Sequence, residues 1–292
     1  MTTKTKNPHW SQRNFITEVL LPSWFQRKKG AKPHEAPIFP QLRSGQICVT
    51  WIGHASFLIQ SPAHNILVDP NWANWLLMVR RLKHAGILHD HLPNIDLVLI
   101  THAHFDHLSR GSLRKVSAHQ PIVVPHGVGN LVYDLGFKKI HEMQWWEEIK
   151  FPGIHVTFTP VKHWGARVLT DRQRGYGGYV IKLGKRTIFH CGDSAYFEGF
   201  KEIGERLSPE IALLPIGAYK PISFREHHMS PEEALKAFVE LKSKVFVPMH
   251  WGTYRLSYEA LYEPPQRLMK AAIQAGLFPK IRFLIEGMPQ IF

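Results

Sequence analysis

Apolar residues recur in this chain as short runs bounded by Gly, Pro, Asn and Asp. Ile47–Ile52, Ser56–Gln60, Ile66–Asp69, Leu97–Thr101 and Ile122–Val124 alternate or run apolar over strand lengths. Ile154–Thr159, Tyr179–Leu183, Thr187–His190, Ile211–Pro215, Val245–Met249 and Arg282–Ile285 do the same, so all are predicted strands. Helical spacing is confined to Ser109–Ala118, Gly129–Gly136, Phe197–Leu207, Pro231–Leu241 and Pro264–Ala275. Ser230-Pro231-Glu232-Glu233 reads as a capping box with Pro at the first helical position. Strands in runs that later alternate with helices suit two sheets packed face to face with helices outside.

Two stretches break this pattern. Residues 1–45 carry Lys4, Lys6, Arg13, Arg27, Lys28, Lys29 and Lys32 among scattered prolines with no sustained period, and predict a basic arm lying across a single domain of residues 46–292. Residues 71–93 gather Trp72, Trp75, Leu76, Leu77 and Met78 and then Arg80, Arg81 and Lys83. They predict a helix, either packed on the core with a solvated basic face or lying in a membrane interface.

Composition narrows the function. A hydrophobic fraction of 44% and a charged fraction of 20% are globular values. No apolar run approaches the roughly 20 residues of a membrane span, and the N-terminal residues lack a secretory h-region, so a cytoplasmic location is expected. Cys48 and Cys191 are the only cysteines, which excludes a disulfide scaffold and leaves one bridge open. The net charge of +13 favours anionic partners. Lys and Arg are nevertheless spread along the chain without a recognisable nucleic-acid module, which argues against nucleic acid. Histidine stands out, with 19 copies, several in tight motifs.

The densest motif is His102-Ala103-His104-Phe105-Asp106-His107, directly after the buried strand Leu97–Thr101. Residues two apart on an extended segment point the same way, so His102 and His104 can grip one metal. The turn into the next helix aims Asp106 and His107 at a second. Imidazole and carboxylate suit zinc, with no thiolate needed. Two metals need further ligands, and His163, Asp193 and His250 each follow an apolar strand with glycine close by.

This order of ligands resembles the metallo-β-lactamase superfamily. Trp51-Ile52-Gly53-His54, Leu67-Val68-Asp69-Pro70, His228-Met229-Ser230-Pro231, His250-Trp251-Gly252-Thr253 and Glu263-Pro264-Pro265 further resemble its N-acyl-phosphatidylethanolamine phospholipase D branch. The resemblance implies an α+β fold, an αββα sandwich of two mixed sheets with helices on the outer faces. It implies two Zn2+ per chain, with iron or manganese as substitutes: His102, His104 and His163 on one, Asp106, His107 and His250 on the other, and Asp193 bridging. It places His228 close to the reacting centre and implies hydrolysis of phospholipid-like diesters by a hydroxide bridging the metals, with peripheral contact to a membrane. The alternative substrate is a soluble sugar-phosphate lactone or cyclic phosphodiester. Asp69 is expected to orient the His loop, whereas His54 either lines the pocket or bonds backbone at a strand turn.

Overall fold

The computed structural model describes residues 14–30, 32–168, 171 and 173–292. Part of the expected basic arm, including Lys4, Lys6 and Arg13, lies outside the described residues. Its remainder begins with a π-helical turn, Ile16–Leu20, that runs into α1 (Leu21–Phe25).

The strands form two large sheets. The first has the order β15 (Gln290–Ile291), β1 (Cys48–Gly53), β2 (Ser56–Gln60), β3 (Asn65–Val68), β6 (Leu97–Leu99), β7 (Pro121–Pro125) and β8 (Lys139–Met143). The second runs β14 (Val245–Met249), β13 (Ile211–Pro215), β12 (Arg186–His190), β11 (Gly178–Leu183), β10 (Ile154–Thr159) and β9 (Glu148–Phe151). Both are mixed. β3, β6, β7 and β8 are parallel in the first, and β12, β13 and β14 in the second, while the remaining pairs are antiparallel.

Alternation along the strands builds the layers, because successive side chains point to opposite faces. Ile66, Val68, Leu97, Leu99 and Val123 face the second sheet in one apolar cluster. Their neighbours Leu67, Val98, Ile122 and Val124 turn outward into another, where Leu113 of α2 (Arg110–Val116) covers them. On the far side Phe200 and Ile203 of α3 (Gly199–Leu207), Phe238 of α4 (Pro231–Glu240) and Leu268 of α5 (Glu263–Gln274) close the second sheet. This is the predicted αββα sandwich. Each such fully buried side chain contributes roughly 1.5–3 kcal/mol.

Three expectations need correction. Residues 71–93 form no helix; they make a hairpin of β4 (Trp75–Leu76) and β5 (Val79–Arg80) and a 3-10 turn at His89–His91. Its apolar residues are consecutive rather than helically spaced, and Arg81 N to Asn74 O (2.8 Å) and Leu82 N to Thr253 O (2.8 Å) hold the backbone extended. Gly129–Gly136 yields only a 3-10 turn, Gly129–Leu131, because the Glu142 carboxylate accepts from Gly127 N and Gly129 N and fixes the chain there. Arg282–Ile285 is not a strand. After one bridge, Ile281 to Phe246, the chain leaves that sheet edge and joins the other sheet through Gln290–Ile291. β8 and β9 were not predicted: Lys139, His141 and Glu142 interrupt the pattern of β8, and β9 alternates over only four residues, Glu148–Phe151, at a sheet edge.

The capping box forms as predicted: Ser230 Oγ accepts from Glu233 N, and the Glu233 carboxylate accepts from Ser230 N at 2.8 Å. Replacing Ser230 by Ala is expected to cost about 1 kcal/mol in chemical denaturation.

Candidate metal centre

The predicted ligands leave the ends of strands on one rim of the sandwich. His102–His107 follow β6, and the loop turns at once, with His107 N and Leu108 N both donating to His104 O. Asp69, at the end of β3, anchors it. One carboxylate oxygen accepts from Thr101 N (2.8 Å), and the other from Thr101 Oγ1 (2.6 Å) and His107 Nδ1 (2.7 Å). This orients the His107 ring with Nε2 turned into the site, the role expected of Asp69.

From the other sheet come His163 after β10, Asp193 after β12 and His250 after β14. Glycine allows the approach. A Cβ on Gly192 would stand 2.8 Å from Thr101 Cβ, and one on Gly217 would stand 2.1 Å from His250 O. His54, Asp69 and His250 themselves take left-handed backbone, with φ of 56°, 44° and 63°. Such conformations are uncommon outside glycine and persist only where surrounding structure over-determines them. Here His250 N donates to His54 O (3.0 Å), and His54 N donates to Thr253 Oγ1 (2.8 Å).

The side chains fall into two sets that meet at Asp193. In one, His102, His104 and His163 converge, with His163 Nε2 3.2 Å from His104 Nδ1. Asp193 Oδ2 lies 3.9 Å from His102 Nε2 and 3.8 Å from His163 Nε2. In the other, Asp106, His107 and His250 converge with His54. Asp193 turns its second oxygen to this set, with Oδ1 3.3 Å from His107 Nε2 and 3.1 Å from His250 Nε2. Asp106 Oδ2 is 3.3 Å from His250 Nε2 and 2.9 Å from His54 Nε2. His54 thus does both things the sequence left open: its backbone pins the His250 turn and its ring holds Asp106.

The sets fit metal ions. Tetrahedral ligands at about 2.0–2.1 Å from zinc lie about 3.3 Å apart, close to the spacings here. The buried His102 Nε2 and His107 Nε2 have no hydrogen-bond partner among the described residues, an arrangement that a cation satisfies. Burial, reinforced by neighbouring imidazoles, holds His102 well below the usual histidine range, so the ring is neutral and its lone pair available. Burial also depresses His163 strongly. Burial opposes ionisation of Asp193, but His250 and His107 outweigh it and hold the carboxyl well below its ordinary value. Burial likewise opposes charge on His250, and Asp193 and Asp106 overcome it, raising that ring to about 9. The carboxylate is therefore ionised, and its charge helps to hold on His250 a proton that a metal ion would displace.

His228 stands beside both sets, its Nδ1 3.9 Å from Asp193 Oδ2 and without a hydrogen-bond partner among the described residues. Burial lowers its pKa to about 4, against the pull of Asp193. Sequence reasoning missed two contributors. Thr101 links Asp69 to the loop, and Trp164, 39% exposed, packs at 4.7 Å from His104 and 4.3 Å from both His163 and His227 at the mouth. Their adjacency to His102 and His163 is the only signal that marks them.

A family model described as the beta-lactamase superfamily domain matches residues 64–251. The chain belongs to the metallo-β-lactamase superfamily. With this fold and these clustered ligands it is a metal-dependent hydrolase of that superfamily. It is 30% identical to an uncharacterized protein of Mycobacterium tuberculosis, covering 89% of this chain and 73% of that one. It is 28% identical to the N-acyl-phosphatidylethanolamine-hydrolyzing phospholipase D 1 of Caenorhabditis elegans, over 77% of this chain and 69% of that protein. A metallo hydrolase from the archaeon Ignicoccus hospitalis superposes with a TM-score of 0.65 at 27% identity, over 85% of this chain and 98% of that one.

Replacing Asp69 by Asn is expected to weaken metal binding about 10- to 100-fold, measured by competition with a chromogenic chelator. Unchanged affinity would show that Asp69 only stabilises the loop.

Proposed function

We propose that this superfamily member is a dinuclear zinc phosphodiesterase that cleaves phospholipid-like diesters. The observation that carries it is the division of Asp193 between two sets of ligands, one oxygen toward each. Imidazole and carboxylate donors favour zinc, with iron or manganese able to replace it. Cys191 lies two residues before Asp193 but is buried in the apolar core and stands in none of the candidate ligand groups, so no thiolate is supplied. Similarity to the nematode phospholipase D and the net charge of +13 support an anionic phospholipid-like substrate.

Two bound cations would supply Lewis acidity and a water acidified to near neutrality. The chain's own residues do the rest. Asp193 holds the two sets in one frame, and His54 and His250 fix the Asp106 carboxylate. His228, neutral at pH 7 because its pKa is depressed, acts as a hydrogen-bond donor to a phosphoryl oxygen rather than as an imidazolium acid. Trp164 walls the mouth and shields the site from water on that side. No helix among the described residues is long and apolar enough to cross a membrane. We place the enzyme in the cytoplasm, peripheral to its lipid substrate.

Two variants test the chemistry. Replacing Asp193 by Ala is expected to abolish phosphodiester hydrolysis and to lower bound metal from two ions per chain, read by elemental analysis; full activity would remove the two-metal model. Replacing His228 by Ala is expected to lower kcat by about 10²–10³ while metal content stays at the wild-type value. Loss of metal would make His228 a ligand instead. A panel of N-acyl phosphatidylethanolamines, sugar-phosphate lactones and cyclic phosphodiesters tests the substrate class. Turnover of the soluble compounds alone would overturn the phospholipid reading.

A further inference from the structure

The hairpin that replaced the predicted helix presents its apolar residues to solvent. Leu76 is buried, but Trp75, Leu77 and Met78 are 49%, 74% and 50% exposed. Leu77 opens the two-residue turn between β4 and β5 with φ at 52°, a position that glycine usually takes in such hairpins. A large apolar side chain is thus held at an exposed tip at the cost of backbone strain.

α1 lies against this tip. Trp24 Nε1 donates to Met78 O at 2.8 Å, its ring meets Trp75 edge-on at 6.3 Å, and Arg80 donates to the carbonyls of Trp24 and Gln26. Phe25, at the end of α1, is 85% exposed. Cations stand beside these residues: Lys28 Nζ donates to Asn74 Oδ1, the Arg80 guanidinium lies 6.0 Å from the Trp75 ring, and Arg27 follows α1 after one residue, whereas Lys29 Nζ turns to the Tyr262 ring at 4.4 Å. Neither residues 19–34 nor residues 71–89 contain Asp or Glu. Aromatic and aliphatic side chains at a protruding tip with lysine and arginine around them suit the boundary between acyl chains and anionic headgroups.

The hairpin's base is tied to the metal loop. Asn71 Nδ2 donates to Asp106 O at 2.8 Å and Phe105 O at 3.1 Å. Tyr254 OH donates to Ala73 O at 2.6 Å, and its ring lies 5.2 Å from that of His54.

We propose that Phe25, Trp75, Leu77 and Met78, with Arg27, Lys28 and Arg80 beside them, form the surface by which this protein docks on an anionic lipid bilayer. The inference rests on the phospholipid reading for its purpose, though its test does not need turnover. The metal-loaded full chain is floated with vesicles of phosphatidylcholine alone and of phosphatidylcholine with phosphatidylglycerol. The wild type is expected to float with the anionic vesicles, less at high salt. Leu77→Asp/Met78→Asp is expected to reduce the bound fraction about tenfold or more, whereas Tyr133→Asp, at an exposed apolar residue elsewhere, leaves it unchanged. Hydrolysis of bis(p-nitrophenyl) phosphate without vesicles, unchanged in the hairpin variant, shows that the variant is folded. Undiminished flotation of that variant overturns the proposal, as does failure of the wild type to float. A variant that alters only the oligomeric state also overturns it, by making the tip a contact between chains. Flotation without hydrolysis of any diester sinks the phosphodiesterase reading and leaves the docking surface standing.

Discussion

Two carboxylates, Asp106 and Asp193, lie in a dry rim between two sheets, and buried negative charge is stable only beside positive charge or donors. Much of the local architecture answers that constraint. Imidazoles from both sheets are aimed at these oxygens, and His107 is raised well above its ordinary range, because Asp193 and Asp106 overcome the effect of burial. Cations that replace those protons satisfy the same charge with stronger bonds. Protonation and metal loading would therefore compete for one set of atoms.

The strength of the constraint explains the backbone around it. His54, Asp69 and His250 take left-handed conformations, each at the end of a strand or in a strand turn. Gly192 and Gly217 remove the side chains that would keep the strand ends apart. The candidate ligands are thus fixed by backbone and packing as well as by one another, as a precise site requires.

The candidate ligands and His228 were legible in the sequence because they are few in kind and, His228 apart, follow apolar strands, where a polar residue has no packing reason to be. His102, His104, Asp106, His107, His163, Asp193, His228 and His250 all converge in the structure. The layers were legible for a different reason, since strands in runs that later alternate with helices suit two sheets with helices outside; the uniformly apolar Leu97–Leu99 and Ile122–Val124 do not by themselves say which residue faces which layer. The hairpin at Trp75–Arg80 was not, because its base is held by Thr253, a partner remote in sequence that no local pattern reveals. His54 was half legible: its place in a strand turn could be read, but not the reach of its ring to Asp106. Edge strand β8 was hidden by the charges that keep such edges from pairing with other chains, and β9 by its four-residue length.

His102 to His107 belong to the first sheet's strand ends, whereas His163, Asp193 and His250 belong to the second's. Ions held between them would act as a cross-link joining the two halves of the sandwich at one rim. At a free metal concentration of 1,000 times Kd, one such ion adds about 4 kcal/mol to the folded state. Chelation would then do more than silence chemistry: it would unfasten a clasp between the two sheets at that rim.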